Sequence, residues 1–108
     1  MAYFLIQVTY TQEAWTAMIN NPQNRRDAIE PVIEKLGGNI VGSWFSFGDY
    51  DGVAVLEMPD NVSAAAFAHA SSASGAVKTF KTTPLMTNNE AMDFMTKAGQ
   101  CGYQPPSE

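Results

Sequence analysis

The chain is poor in the residues that most often carry chemistry. Among 108 positions it has one cysteine, one histidine and six lysines and arginines. Cys101 has no partner for an internal disulfide, and its surroundings, Gly99 to Pro106, supply no base or cation that would activate a catalytic thiol. A free thiol in a reducing compartment is the expectation. His69 stands alone, and no Cys/His cluster has metal-ligand spacing, so neither a metal nor a cofactor is expected. The basic residues Arg25, Arg26, Lys35, Lys78, Lys81 and Lys97 are scattered, and the net charge is −5. No basic stripe exists to grip nucleic acid or anionic lipid, and the acidic excess favours solubility. No apolar run approaches the roughly 20 residues of a membrane span. The opening MAYFLIQVTY has neither a basic lead-in nor a small-residue cleavage site, so it reads as a strand in a cytoplasmic protein. Phosphate loops are missing, because Gly37-Gly38 closes a helix and does not open one. No serine sits in a nucleophile elbow. Glu30 and Glu34, four apart, form a solvated helix face and not an acid/base pair.

What is present is a core former. At 45% hydrophobic the chain can build one domain, yet a chain this short buries only about two-thirds of its unfolded surface. Joining a second copy would bury more.

Tyr3 to Tyr10 is rich in aromatic and β-branched residues and predicts a strand. Phe4, Ile6, Val8 and Tyr10 fall on one face. Tyr3, Leu5, Gln7 and Thr9 fall on the other, which is mixed and not purely polar. Thr11 offers an N-cap to a short helix with Ala14, Trp15, Met18 and Ile19 at helical spacing. A second helix is expected over Pro22 to Leu36, with Ile29, Val32, Ile33 and Leu36 on one face, Gly37-Gly38 as its stop, and Pro31 either kinking or dividing it. Asn39 to Phe47 reads as the second strand, Gly48 to Gly52 as a turn, and Val53 to Met58 as the third strand, paired as an antiparallel hairpin. Pro59-Asp60-Asn61 starts an Ala-rich helix that runs to Ser74, a composition suited to close packing on a sheet. Val77 to Leu85 is the fourth strand, held to an edge by Pro84. Thr87 or Asn88 caps a last helix over Asn89 to Ala98. Residues 1–98 are expected to form the domain and 99–108 a flexible tail.

The order β-α-β-β-α-β with an extra C-terminal helix is the ferredoxin-like α+β arrangement, a four-stranded antiparallel sheet with helices on one face. Each strand carries bulky residues on both faces, so the face opposite the helices is expected to be buried against a second copy. Two such sheets make a dimeric α+β barrel with a self-complementary contact.

Glu34 to Asn39, followed by Trp44-Phe45-Ser46-Phe47-Gly48-Asp49-Tyr50-Asp51, resembles the signature region of the GYD-domain family. That family takes its name from a Gly-x-Tyr-Asp pattern at this hairpin, here Gly48, Tyr50 and Asp51. Val53 to Asp60, Tyr10 to Glu13 and Gly75 to Thr79 fit the same template, and the resemblance covers residues 3 to 85. It implies a small protein, of a mostly bacterial family, similar to the dimeric α+β barrel superfamily. That superfamily includes antibiotic-biosynthesis monooxygenases, haem-degrading monooxygenases and muconolactone isomerase-like enzymes. No reaction comes with the family itself.

Two classes of function follow. The first is a homo-oligomeric binding module for a small apolar molecule, with Trp44, Tyr50, Gln7, Asp51 and His69 as the candidate ligand-binding residues. In that reading Tyr3, Phe45, Phe47 and Thr9 complete a pocket on the sheet. The second is a monooxygenase, cofactor-independent or haem-dependent, with Trp44, Tyr50 and His69 around the substrate. Haem-degrading relatives use a helix histidine as axial ligand beside a Trp and an amide. His69, Trp44 and Gln7 stand in loosely similar places, but the Trp lies on a different strand and the amide is Gln, not Asn. For Gly48, Tyr50 and Asp51, turn chemistry is itself a full account. Gly48 frees the backbone, Asp51 bonds main-chain amides and Tyr50 packs on the sheet end.

Overall fold

The computed structural model describes residues 1–107; the last residue of the expected tail, Glu108, lies outside them. The strands are β1 (Ala2–Tyr10), β2 (Asn39–Phe45), β3 (Gly52–Met58) and β4 (Val77–Leu85). The helices are α1 (Gln12–Asn20), α2 (Arg25–Lys35), α3 (Asn61–Ala73) and α4 (Asn88–Gln100). The strands form one antiparallel sheet in the order β2-β3-β1-β4, the ferredoxin-like topology.

Alternation in β1 sets which side is core. Phe4, Ile6 and Val8 are buried, and their partners Leu56, Ala54 and Gly52 on β3 continue the same face. Ile40 and Met58 belong to it, and Ile33 of α2 with Ala64 and Phe67 of α3 close over it. Phe80 meets Phe67 edge to face, with ring centroids 5.8 Å apart. The central strand is therefore covered by helices on one side only.

The helix starts follow from their caps. Thr11 accepts from the Ala14 amide, Asn24 from Arg26, Asp60 from Ser63, and Thr87 forms a reciprocal capping box with Glu90. Pro31 neither breaks nor divides α2, which runs as one helix. It sits on the exposed side, where water can satisfy the carbonyl that its missing N–H leaves free. Gly37, at φ 88°, ends the turn after α2. A side chain at Gly38 would meet the Glu57 carbonyl and the Met58 sulfur at 2.5 Å, so this position brings helix end and sheet together. Strand β2 ends at Phe45, two residues earlier than the β-branched and aromatic run predicts. Ser46 folds the chain back, its amide donating to the Asp51 carbonyl (2.8 Å) and its hydroxyl to the Tyr50 carbonyl (2.6 Å). Pro84 lies in β4, which is an edge strand as its presence requires.

The last helix extends two residues into the expected tail, and no other element packs along it. Only Ala91 among its residues is partly covered. The radius of gyration is 17.5 Å, against about 13 Å for a compact chain of this length. No helix among the described residues is long and apolar enough to cross a membrane.

The Asp60 cap gives α3 a pH dependence. The Ser63 amide bonds its carboxylate and holds its pKa below the ordinary value of 3.8. A depressed carboxylate stabilises the fold above its unfolded pKa, and that contribution is lost as pH falls through the folded one. In urea titrations, wild type is expected to lose midpoint below about pH 4 more steeply than Asp60→Asn, which keeps an acceptor that does not titrate.

Candidate functional site

The two layers leave a gap. Helix α2 packs mainly on β2 and α3 mainly on β4, with a smaller contact on β3. The result is a cavity of about 310 Å³ on the helix-covered face. Its floor is Ile6, Val8 and Leu56, and its walls include Ile29 from α2 and Phe67 from α3, with Phe80. Small residues keep it open: Gly52, Ala54, Ala70 and Ala76 all border it. Ala64, a turn and a half from Ala70 on α3, is buried, so the helix packs tightly at one end and stands off at the other. Arg25 and Arg26 lie at the border, and Ser43, Ser71, Ser74, Tyr10 and Trp44 are the other lining residues that carry a polar side-chain group.

One end of this cavity is shaped by an aromatic cluster. The Tyr10 and Trp15 rings meet edge to face at 5.6 Å, and both lie 6.2 Å from Phe45. Asp51 holds the cluster together. Its Oδ2 accepts from the Tyr10 amide at 3.0 Å and from the Trp15 indole Nε1–H at 3.2 Å. Its own amide donates to the Val8 carbonyl at 2.8 Å. One residue of the hairpin thus ties together the end of β1, the start of α1 and the β2–β3 turn. The hydroxyl of Tyr10 stands over Gly52, where a Cβ would lie 3.4 Å from it.

These contacts give the Gly48, Tyr50, Asp51 pattern a physical meaning. The family model of the GYD domain matches residues 4–95. The chain belongs to the GYD-domain family. Comparison with curated proteins and with solved structures found no match. The match takes in all four strands, α1 to α3 and part of α4.

The residues singled out from the GYD-domain sequence fall in three places. Trp44 and Gln7 share the face of the sheet opposite the helices, in one cross-strand row with Val53 between them and Lys81 beyond. The Trp44 ring folds over Gly42, and any side chain there would collide with it. Trp44 also borders the cavity, whereas Gln7 does not. Tyr50 and Asp51 belong to the hairpin, half-buried and outside the cavity lining. His69 is exposed on α3 and likewise does not line it. Of the supporting residues, Phe45 turns to the helix side, Thr9 bonds Thr79, and Phe47 is wholly exposed at 101%. Tyr3 stands opposite Glu57, whose carboxylate bonds its hydroxyl and raises its pKa above the ordinary value. No group of three or more metal-capable side chains occurs among the described residues.

Sequence reasoning missed the cavity wall on α2. Arg25, Ile29 and Val32 repeat at i, i+4, i+7 and share a helix face, so the spacing was available. Trp15 was legible as an apolar helix residue, but not as the partner of a carboxylate 36 positions away.

Removing the Asp51 side chain leaves the Tyr10 amide and the Trp15 indole without their acceptor. Asp51→Ala is expected to cost about 2–3 kcal/mol in a urea titration, with Asp51→Asn, which retains an acceptor, losing less. Equal stability of Asp51→Ala and wild type would contradict the clamp.

Proposed function

We propose that this GYD-domain protein is a cytoplasmic homo-oligomeric binding module that receives a small apolar molecule. The observation that carries the binding reading is the cavity of about 310 Å³ between α2 and α3. Its size falls in the range of small-molecule sites, its lining is mostly hydrocarbon, and a few polar groups stand at its border. Trp44 contributes to this border. Gln7 belongs to the opposite face, Tyr50 stays in the hairpin outside the lining, and Asp51 acts on the pocket indirectly, through the aromatic cluster that shapes its end.

Self-association rests on the open face of the sheet. Leu5, Val53 and Val55 lie there together, joined by Trp44, which is 60% exposed. A second copy covering this face would bury these residues symmetrically. Phe47 at the hairpin tip, and Met92, Phe94 and Met95 on the unpacked α4, add exposed apolar surface that a lone subunit would leave wet. The monooxygenase reading calls for Trp44, Tyr50 and His69 around one substrate, and only Trp44 borders the cavity. The binding reading is therefore preferred.

Light scattering combined with titration of the neutral probe N-phenyl-1-naphthylamine tests both halves. Wild type is expected to run as a whole-number multiple of the chain mass and to enhance the probe's fluorescence. Leu5→Lys, on the open face, should reduce the mass. Ala70→Trp, which fills the cavity, should abolish probe binding and keep the mass. A stable monomer at high concentration would contradict self-association, and probe binding that survives Ala70→Trp would contradict the pocket.

A further inference from the structure

The cavity border holds a guanidinium that no carboxylate among the described residues pairs. Arg25 opens α2 and is half-buried at the cavity. Its Nε is shielded from solvent and makes no hydrogen bond, the single such side-chain atom among the described residues. A buried polar group without a partner is rare and costly. Arg25 cannot relieve that cost by losing its proton, because a guanidinium stays charged.

The neighbouring charges are spoken for or face elsewhere. Arg26 pairs with Glu30 at 3.3 Å and reaches the Ile40 carbonyl at 3.5 Å. The carboxylates of Asp27, Glu30 and Glu34 surround a shallow depression with Pro31, on a different flank of α2 from the cavity. No ion pair involves Arg25 among the described residues. The floor residue Ile6 and the wall residues Ile29, Phe67 and Phe80 are hydrocarbon.

On the reading that this cavity is a binding site, we propose that its ligand is an amphipathic monoanion: a carboxylate on an apolar chain or ring, with Arg25 receiving the carboxylate. The planar guanidinium matches a carboxylate in a forked pair. A single uncommitted cation matches a single negative charge. A phosphate dianion would bring a second charge for which the border offers no second free cation, because Arg26 is engaged by Glu30. The apolar body would lie along the strip of sheet that α2 and α3 leave bare.

Displacement of N-phenyl-1-naphthylamine by decanoate and by 1-decanol tests the assignment. The two have the same chain and differ in head group. Wild type is expected to bind decanoate about tenfold or more tightly than decanol, the scale of a charge-assisted bond. Arg25→Gln should abolish that preference by weakening decanoate and leaving decanol unchanged, and Arg25→Lys should restore part of it. Equal binding of the two by wild type, which needs no variant, would overturn the anion assignment and leave the apolar pocket standing. A preference that persists in Arg25→Gln would overturn the role of Arg25. If neither compound nor the probe binds, the pocket reading fails and this one with it.

Discussion

Everything distinctive in this molecule depends on two helices that pack on the same sheet face without packing on each other. Helix α2 is anchored by Ile33 and stands mainly over β2, and α3 is anchored by Ala64 and Phe67 and stands mainly over β4. These strands are the two edges of the sheet. Between the helices, over the middle strands β1 and β3, runs the strip floored by Ile6, Val8 and Leu56 that the cavity occupies. Larger residues at Ala54, Ala70 and Ala76 would fill that strip. Protein interiors are normally close-packed, so an apolar space of this size is a feature to be explained and not a gap to be ignored.

The GYD signature makes sense as the brace for this arrangement. A turn must lead from β2 to β3, and turn chemistry alone would accept several residues at position 51. Asp51 does more, because its carboxylate gathers two donors from distant parts of the chain, the Tyr10 amide and the Trp15 indole. The Trp15 ring thereby fixed packs against Tyr10 and Phe45, and these two line the end of the cavity. The signature is thus a structural device that acts through packing. This accords with the turn-based account of Gly48, Tyr50 and Asp51 and does not require those side chains to touch a bound molecule.

Much of the fold was legible because it depends on local rules. Alternation in Phe4, Ile6 and Val8 marked the core face, Thr11, Asp60 and Thr87 marked helix starts, and Val77 to Leu85 forms the strand its composition predicts. The candidate site was less legible. Strand parity alone would put Trp44 on the face of Ile40, and the bulge between Ile40 and Gly42 turns it to the face of Gln7. The pattern of a helix, likewise, tells which side it buries and not how far it stands from the next helix. The separation of α2 and α3, and with it the cavity, has no signature in the spacing of either. Arg25 looks like any scattered surface cation until the structure shows that its neighbours' carboxylates face another way. Pro31 misleads for the opposite reason: a rule about helix interiors yields where the freed carbonyl meets water.

The two sides of the sheet thus differ, one holding a hollow, the other carrying Leu5, Val53 and Val55 beside the exposed Trp44. The most direct test of the first is a crystal pressurised with xenon, which enters dry apolar cavities. Xenon is expected between α2 and α3, against Ile6, Ile29 and Phe67. A map in which that space is empty of xenon because the two helices have closed against each other would contradict the account.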